Sequence, residues 1–432
     1  MVAVTVVAAT ATLLGGILRG SHSGGARAAL QATRSGDVAG QSGFAVGDTT
    51  ALVADLQAQL QANPRDAHGY ALLGLAYQQR ARETGDPTYY TKSDGALHRA
   101  LALAPGDLLA TGGLGSLALS RHRFREALTL GKRALRLSPG TARTYGVVGD
   151  ALVELGRYEE AFRAFDTMAR LKPGLAAYAR VSYARELLGR PQAAIAAMRL
   201  AVEAAADQPE ATAWTRVQLG KLYWSIGRLA AAEQQYRAAL AAFPSYVYAL
   251  DALAQVQAAR GHLGAAIALE RRAVDAIPLP QFVAALGDLY PAQGRPGLAR
   301  RQFELIGVIE RLLTANGVRT DLETALFDVD HGIRLPHALE LARSARALRP
   351  SIDGDDVLAW ALARNGRCDE ALVYSKRALR LGTQDALKLF HRGMIERCLG
   401  HADSGTSYLS RALALNPHFS IVWSPVARRA LR

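Results

Sequence analysis

From residue 48 onward, apolar positions return at helical spacing within blocks of fixed length. Strings of the general form Arg-Ala-Leu-x-Leu-x-Pro end at Pro105, Pro139, Pro173, Pro244, Pro278, Pro350 and Pro417. Pro64 closes a related string, and Thr383 takes the proline's place in another. The intervals Pro105–Pro139, Pro139–Pro173, Pro244–Pro278 and Thr383–Pro417 are each 34 residues. Within 142–174, Tyr145, Val148, Gly149 and Leu152 fall at i, i+3, i+4 and i+7, which is one face of a helix. Gly156 then marks a turn. Ala161, Phe165 and Ala169 form the apolar face of a second helix, which Pro173 prevents from continuing. The pattern predicts about ten helix-turn-helix units, starting near residues 67, 108, 142, 175, 213, 247, 280, 319, 352 and 386. Residues 50–63 match a second helix without its first, and residues 420–432 a first helix without its second. Both read as covers for the exposed faces of the terminal units.

Small residues recur at one position of the first helix: Gly74, Gly115, Gly149, Ser182, Gly220, Ala254, Gly287, Ala359 and Gly393. A small side chain there lets two helices cross closely. With the 34-residue period, this resembles the tetratricopeptide repeat family, of bacterial type, over roughly residues 48–432. The resemblance implies an all-α, right-handed superhelical solenoid with capping half-repeats. Together with the composition of the N-terminal stretch, it divides the chain into an apolar anchor or signal segment at 1–19, a flexible Gly/Ser/Ala-rich linker at 20–47 and the solenoid at 48–432. Within the solenoid it expects a half-repeat at 48–66, units to about 418 and a capping helix at 419–432. Three departures stand out: about seven extra residues from Glu83 to Tyr90 between the helices of the first unit, two or three near 203–213, and a longer helix at 304–315.

Val2 to Leu18 form one apolar run that Arg19 ends. Its length lies at the short limit for a membrane span and also fits a signal-peptide core. The expectation is a membrane-anchored or exported protein of the cell envelope. The side of the membrane stays open, and a cytoplasmic protein is the alternative.

Composition narrows the classes. A chain that is 50% hydrophobic is not disordered. Two cysteines exclude a disulfide-stapled scaffold and a four-cysteine zinc site. Cys368 and Cys398 fall near the turns of adjacent units, so export would allow a disulfide; two buried thiols are the alternative. No phosphate-binding glycine loop, G-x-S-x-G elbow or H-E-x-x-H motif is found. The expectation is therefore no enzyme, no catalytic residue and no cofactor. Asp330 and His331 are weak metal candidates that share a face with Asp288 or Glu323. Otherwise they simply end a degenerate helix before Gly332 and Pro336.

The formal charge is +13. Placed on the repeat, most of the excess falls on second helices, at positions such as Arg133, Arg163, Arg271, Arg272 and Arg377. In the family, first helices line the concave surface, where ligands usually bind. The inward positions here lean acidic and aromatic, a surface suited to an extended peptide with basic and apolar side chains. The candidate groove residues are Asp150, Tyr183, Glu186, Trp214, Lys221, Trp224, Tyr248, Asp251, Asp288, Glu323, Phe327 and Trp360. Some family members hold a C-terminal carboxylate with Lys and Asn at set positions, but Lys221 has no such Asn. The partner expected is a protein or peptide, with membrane association through residues 2–18. The alternative is a basic convex surface that binds anionic lipid or nucleic acid, and the apolar N-terminus disfavours nucleic acid.

Overall fold

The computed structural model describes residues 48–205 and 208–432. The expected anchor or signal at 1–19 and the linker at 20–47 lie outside the described residues. Every regular element among them is a helix. A capping helix α1 (Asp48–Ala62) precedes ten pairs. The first five are α2 (Ala67–Thr84) with α3 (Thr88–Leu103), α4 (Leu108–Ser120) with α5 (Phe124–Leu137), α6 (Ala142–Glu154) with α7 (Tyr158–Leu171), α8 (Leu175–Leu187) with α9 (Pro191–Glu203), and α10 (Pro209–Ser225) with α11 (Leu229–Ala242). The next five are α12 (Val247–Ala259) with α13 (Leu263–Ala276), α14 (Pro280–Ala292) with α15 (Pro296–Ala315), α16 (Asp321–His331) with α17 (Leu335–Leu348), α18 (Ile352–Arg364) with α19 (Cys368–Ala378), and α20 (Ala386–Cys398) with α21 (Ala402–Leu415). Helix α22 (Trp423–Ala430) covers the last pair. The architecture is a right-handed superhelical solenoid.

Local chemistry explains the helix starts and the tight pairing. Asp66, Asp107, Ser351 and Asp385 accept hydrogen bonds from the free amides of the following helix. A side-chain carbon on Gly149 would stand 2.3 Å from the Phe165 ring, and one on Gly220 2.3 Å from Tyr236. The missing side chain thus seats an aromatic ring of the second helix against the backbone of the first. Leucine, alanine and valine fill the remaining space, and the buried residues form a chain of clusters along the array.

The extra residues of the first unit differ from expectation. They do not form a long loop. Helix α2 runs on through Glu83 and Thr84, and α3 already begins at Thr88. Only residues 85–87 separate the two. Gly85 closes α2 in the left-handed conformation, at φ 69°, and Pro87 stands at the start of α3. The additional length carries Arg82, Glu83 and Tyr90 toward the centre of the superhelix.

The superhelix returns onto itself about 195 residues along the chain. The Ile352 amide donates to the Tyr158 hydroxyl at 2.7 Å. The Thr383 hydroxyl donates to the Leu187 carbonyl at 2.5 Å, and the Asn416 amide to the Trp224 carbonyl at 2.8 Å. The Arg319 amide donates to the Arg121 carbonyl at 3.2 Å. In each case the turn inside one unit meets a connection between units five and six places further on. A seam therefore joins successive turns of the superhelix. Glycine makes this approach feasible. A side-chain carbon on Gly156 would lie 2.3 Å from the Pro350 carbonyl oxygen, and one on Gly189 2.1 Å from that of Gly382.

Candidate functional site

Closing the seam leaves a central cavity of about 1830 Å³. Its wall draws on the first unit, the middle units and the C-terminal cap, including Arg82, Arg143, Trp214, Tyr248, Phe327 and Trp423. Most of this wall is apolar. Among the described residues it holds seven carboxylates, Glu83, Glu210, Glu270, Asp288, Glu310, Glu323 and Asp330, against four Lys or Arg side chains. Charges inside an apolar wall are costly unless matched, and several of these acids are matched: Arg80 holds Glu83, Arg349 holds Glu323 and His331 holds Asp288.

Half of the sequence-derived groove residues belong to this wall: Trp214, Trp224, Tyr248, Asp288, Glu323 and Phe327. Asp150, Tyr183, Glu186, Lys221, Asp251 and Trp360 stand outside the wall. Asp150 is buried, and Arg180 of the next unit grips it through two hydrogen bonds of 2.9 and 2.6 Å. Asp251 is also buried and accepts from Gln255 at 3.0 Å, with the Lys221 ammonium opposing its charge. Burial lowers the Lys221 ammonium despite the opposing pull of Asp251 and Glu186. Burial pushes the Glu186 carboxyl up to about 7, aided by Asp385 across the seam. Trp360 is buried and stacks on His391 at 4.5 Å between ring centres.

The metal candidates are held by organic partners. Asp330 accepts from the indole nitrogens of Trp360, at 2.8 Å, and Trp423, at 3.1 Å. It thereby latches the capping helix to the eighth and ninth units. His331 contacts Asp288 at 2.7 Å and the Phe327 carbonyl at 2.8 Å. Burial works against the His331 imidazolium, but the hydrogen bond and charge of Asp288 outweigh it and raise its pKa. Gly332, at φ 68°, ends α16, and Pro336 stands in the first turn of α17. No group of three or more His, Cys, Asp or Glu able to hold a metal ion occurs among the described residues. Cys368 and Cys398 are joined as a disulfide, with Cα atoms 6.2 Å apart.

The residues missed by sequence reasoning are those that act across the seam or between units. Arg349 donates to Glu323 at 2.8 Å and pairs with buried Glu154, 195 positions away. Burial pushes the Glu154 carboxyl up to about 7, against the opposing pull of Arg349. Burial raises the Glu323 carboxyl too, but His122 and Arg349 outweigh it and its pKa falls. Glu210 lies near enough to Arg82 for their charges to attract, and the Gln79 amide reaches Glu210 at 3.4 Å. Nothing in the local pattern around these residues signals a partner more than a hundred residues away. Arg180 is different: its 30-residue offset from Asp150 puts it on the adjacent first helix, and the repeat register contains that information.

The fold and its central cavity define a helical-repeat superhelix. The family model described as tetratricopeptide repeat matches residues 79–142, 149–209 and 217–279. Over those residues the chain is built of tetratricopeptide repeats, and proteins of such repeats generally serve as protein-interaction scaffolds. Solved structures of similar kind include a tetratricopeptide repeat protein of Thermus thermophilus, 26% identical, covering 45% of this chain and 98% of that one, with a TM-score of 0.39. Another is YrrB, titled a protein with an unusual peptide-binding site, 23% identical over 44% of this chain and 96% of its own, with a TM-score of 0.29. A third is human IFIT1, solved as a dimer with PPP-AAAA, 13% identical over 85% and 94%, with a TM-score of 0.44. No curated protein matches the chain.

Proposed function

We propose that this protein is a non-enzymatic scaffold that holds an extended segment of a partner protein in its central cavity. The observation that carries the reading is the wall itself: a long, mainly apolar surface with interleaved aromatics and an excess of carboxylates. Aromatic rings supply large, rigid contact area and attract Lys or Arg through their faces. The carboxylates favour basic over acidic segments. Residues 2–18 tether the array to a membrane or direct its export, and the Cys368–Cys398 disulfide fits an oxidising compartment. No helix among the described residues is long and apolar enough to cross a membrane.

Photo-crosslinking tests the reading. A photoreactive phenylalanine analogue replaces Trp214, Tyr248 or Phe327 in the cavity, and Arg271 on the outer surface. The expected result is polypeptide adducts from the three cavity positions and none from Arg271. Adducts from Arg271 alone would sink the cavity reading. A second reading has its own support: Arg133, Arg163, Arg271, Arg272 and Arg377 are all exposed on second helices. In that reading the outer surface lies against anionic lipid, with binding to phosphatidylserine vesicles that falls steeply as salt rises.

A further inference from the structure

Most deep acids in this protein are held by cations. Asp150 holds Arg180, Glu154 holds Arg349, Asp355 holds Arg346 and Arg380, and Glu396 holds Arg392. Glu233, one unit before Glu270 and also on a second helix, holds Arg237 and Arg260. Glu270 breaks the rule. It is 0% exposed, and neither carboxylate oxygen has a hydrogen-bond partner. Its ionisable neighbour, Asp251, is another acid. It also belongs to the cavity wall, beside Gln255, Ala258, Ala259 and Leu263. A buried carboxylate without partners is a costly arrangement, and removing its side chain would relieve the cost. Its oxygens lie behind the cavity surface, so a donor from outside the chain that parts α12 from α13 meets hydrogen-bonding capacity left unspent.

We propose that Glu270 is a cation subsite, which receives an ammonium or guanidinium group carried on an apolar stem, as a lysine or arginine side chain of the bound segment carries it. The inference rests on the reading that a polypeptide enters the cavity, and it names the side-chain class that the cavity selects. The stem packs on alanine and leucine of α12 and α13, while the head displaces the carboxyl proton to solvent and supplies the hydrogen bonds that Glu270 lacks. A neutral ligand of the same shape gains the apolar contact alone.

Hexylammonium and hexanol, titrated into the full chain by calorimetry at pH 8, isolate the head group. Hexylammonium is expected to bind at least tenfold more tightly than hexanol. Glu270→Gln is expected to abolish that preference, whereas Asp288→Asn, at another carboxylate of the wall, leaves it in place. Equal binding of the two probes by the parent protein overturns the subsite before any variant is made. A preference that survives Glu270→Gln, or disappears in Asp288→Asn, overturns it as well. Cavity crosslinks to polypeptide without a hexylammonium preference remove the subsite and leave the scaffold reading standing. A Glu270-dependent preference without such crosslinks does the reverse.

Discussion

Glu270 and Asp150 occupy similar depth and burial raises both carboxyls, but only Asp150 has a cation that opposes the rise. Arg180 turns Asp150 into half of a bidentate pair, whereas Glu270 stands without a cation. Burial, with a smaller push from Asp251, raises the Glu270 carboxyl to about 10 from an ordinary 4.5. The native state therefore binds a proton that the unfolded chain releases above pH 4.5. A raised carboxylate pKa makes stability fall as pH rises, starting near the unfolded value and continuing through the folded one. The slope is about 1.4 kcal/mol per pH unit for one such proton. Glu270→Gln is expected to match the parent at pH 4.5 and to exceed it in thermal midpoint at pH 8, by roughly 2 °C or more for a chain of this size. Equal midpoints at both pH values would show that the carboxylate is solvated in the native state. At this scale the sequence misled in one direction. Asp150 and Asp251 were legible as first-helix acids but not as buried ones, because their depth depends on a neighbouring unit.

The helix pairs themselves were readable because their determinants are local. The 34-residue period, the i, i+3, i+4 spacing and the terminating prolines all act within one unit. The residues from Glu83 to Tyr90 were harder, since a count of extra residues does not say whether they join a loop or lengthen its helices. The Gly85 cap and Pro87 decided for the helices. Pair geometry depends most on the small residue of each first helix. Gly149→Ala is expected to cost about 1–3 kcal/mol by denaturant unfolding, because the new methyl meets the Phe165 ring. A paired Gly149→Ala, Phe165→Leu variant should recover part of that loss. No recovery would place the cost in the helix backbone instead.

The whole molecule is set by the seam, which closes the array into a turn with a central cavity. Two turn glycines separate backbone strain from seam contact. Gly189 and Gly366 share the left-handed conformation, at φ 67° and 76°, but only Gly189 touches the next turn of the superhelix. Gly366 has open space around it. Each substitution by valine carries the strain of a left-handed β-branched residue, on the order of 1–2 kcal/mol. Gly189→Val is further expected to part the seam and raise the radius of gyration measured by small-angle X-ray scattering. Gly366→Val should leave it unchanged. Equal radii for parent and both variants would mean that the seam is not what holds the superhelix compact.

The sequence alone determined the all-α class, the repeat length, the helix pairs, the capping halves and the distribution of charge between first and second helices. These follow from periodicity and from contacts between neighbouring units, which the repeat makes regular. The tertiary structure decided which acids face the cavity, which are sealed by arginines and which has no partner. It also decided that Asp330 serves two tryptophans and that turns 195 residues apart touch. The physical reason is accumulation. Each unit adds a small rotation to the last, and only the sum over five or six units brings distant side chains together. No local pattern in the chain encodes that sum.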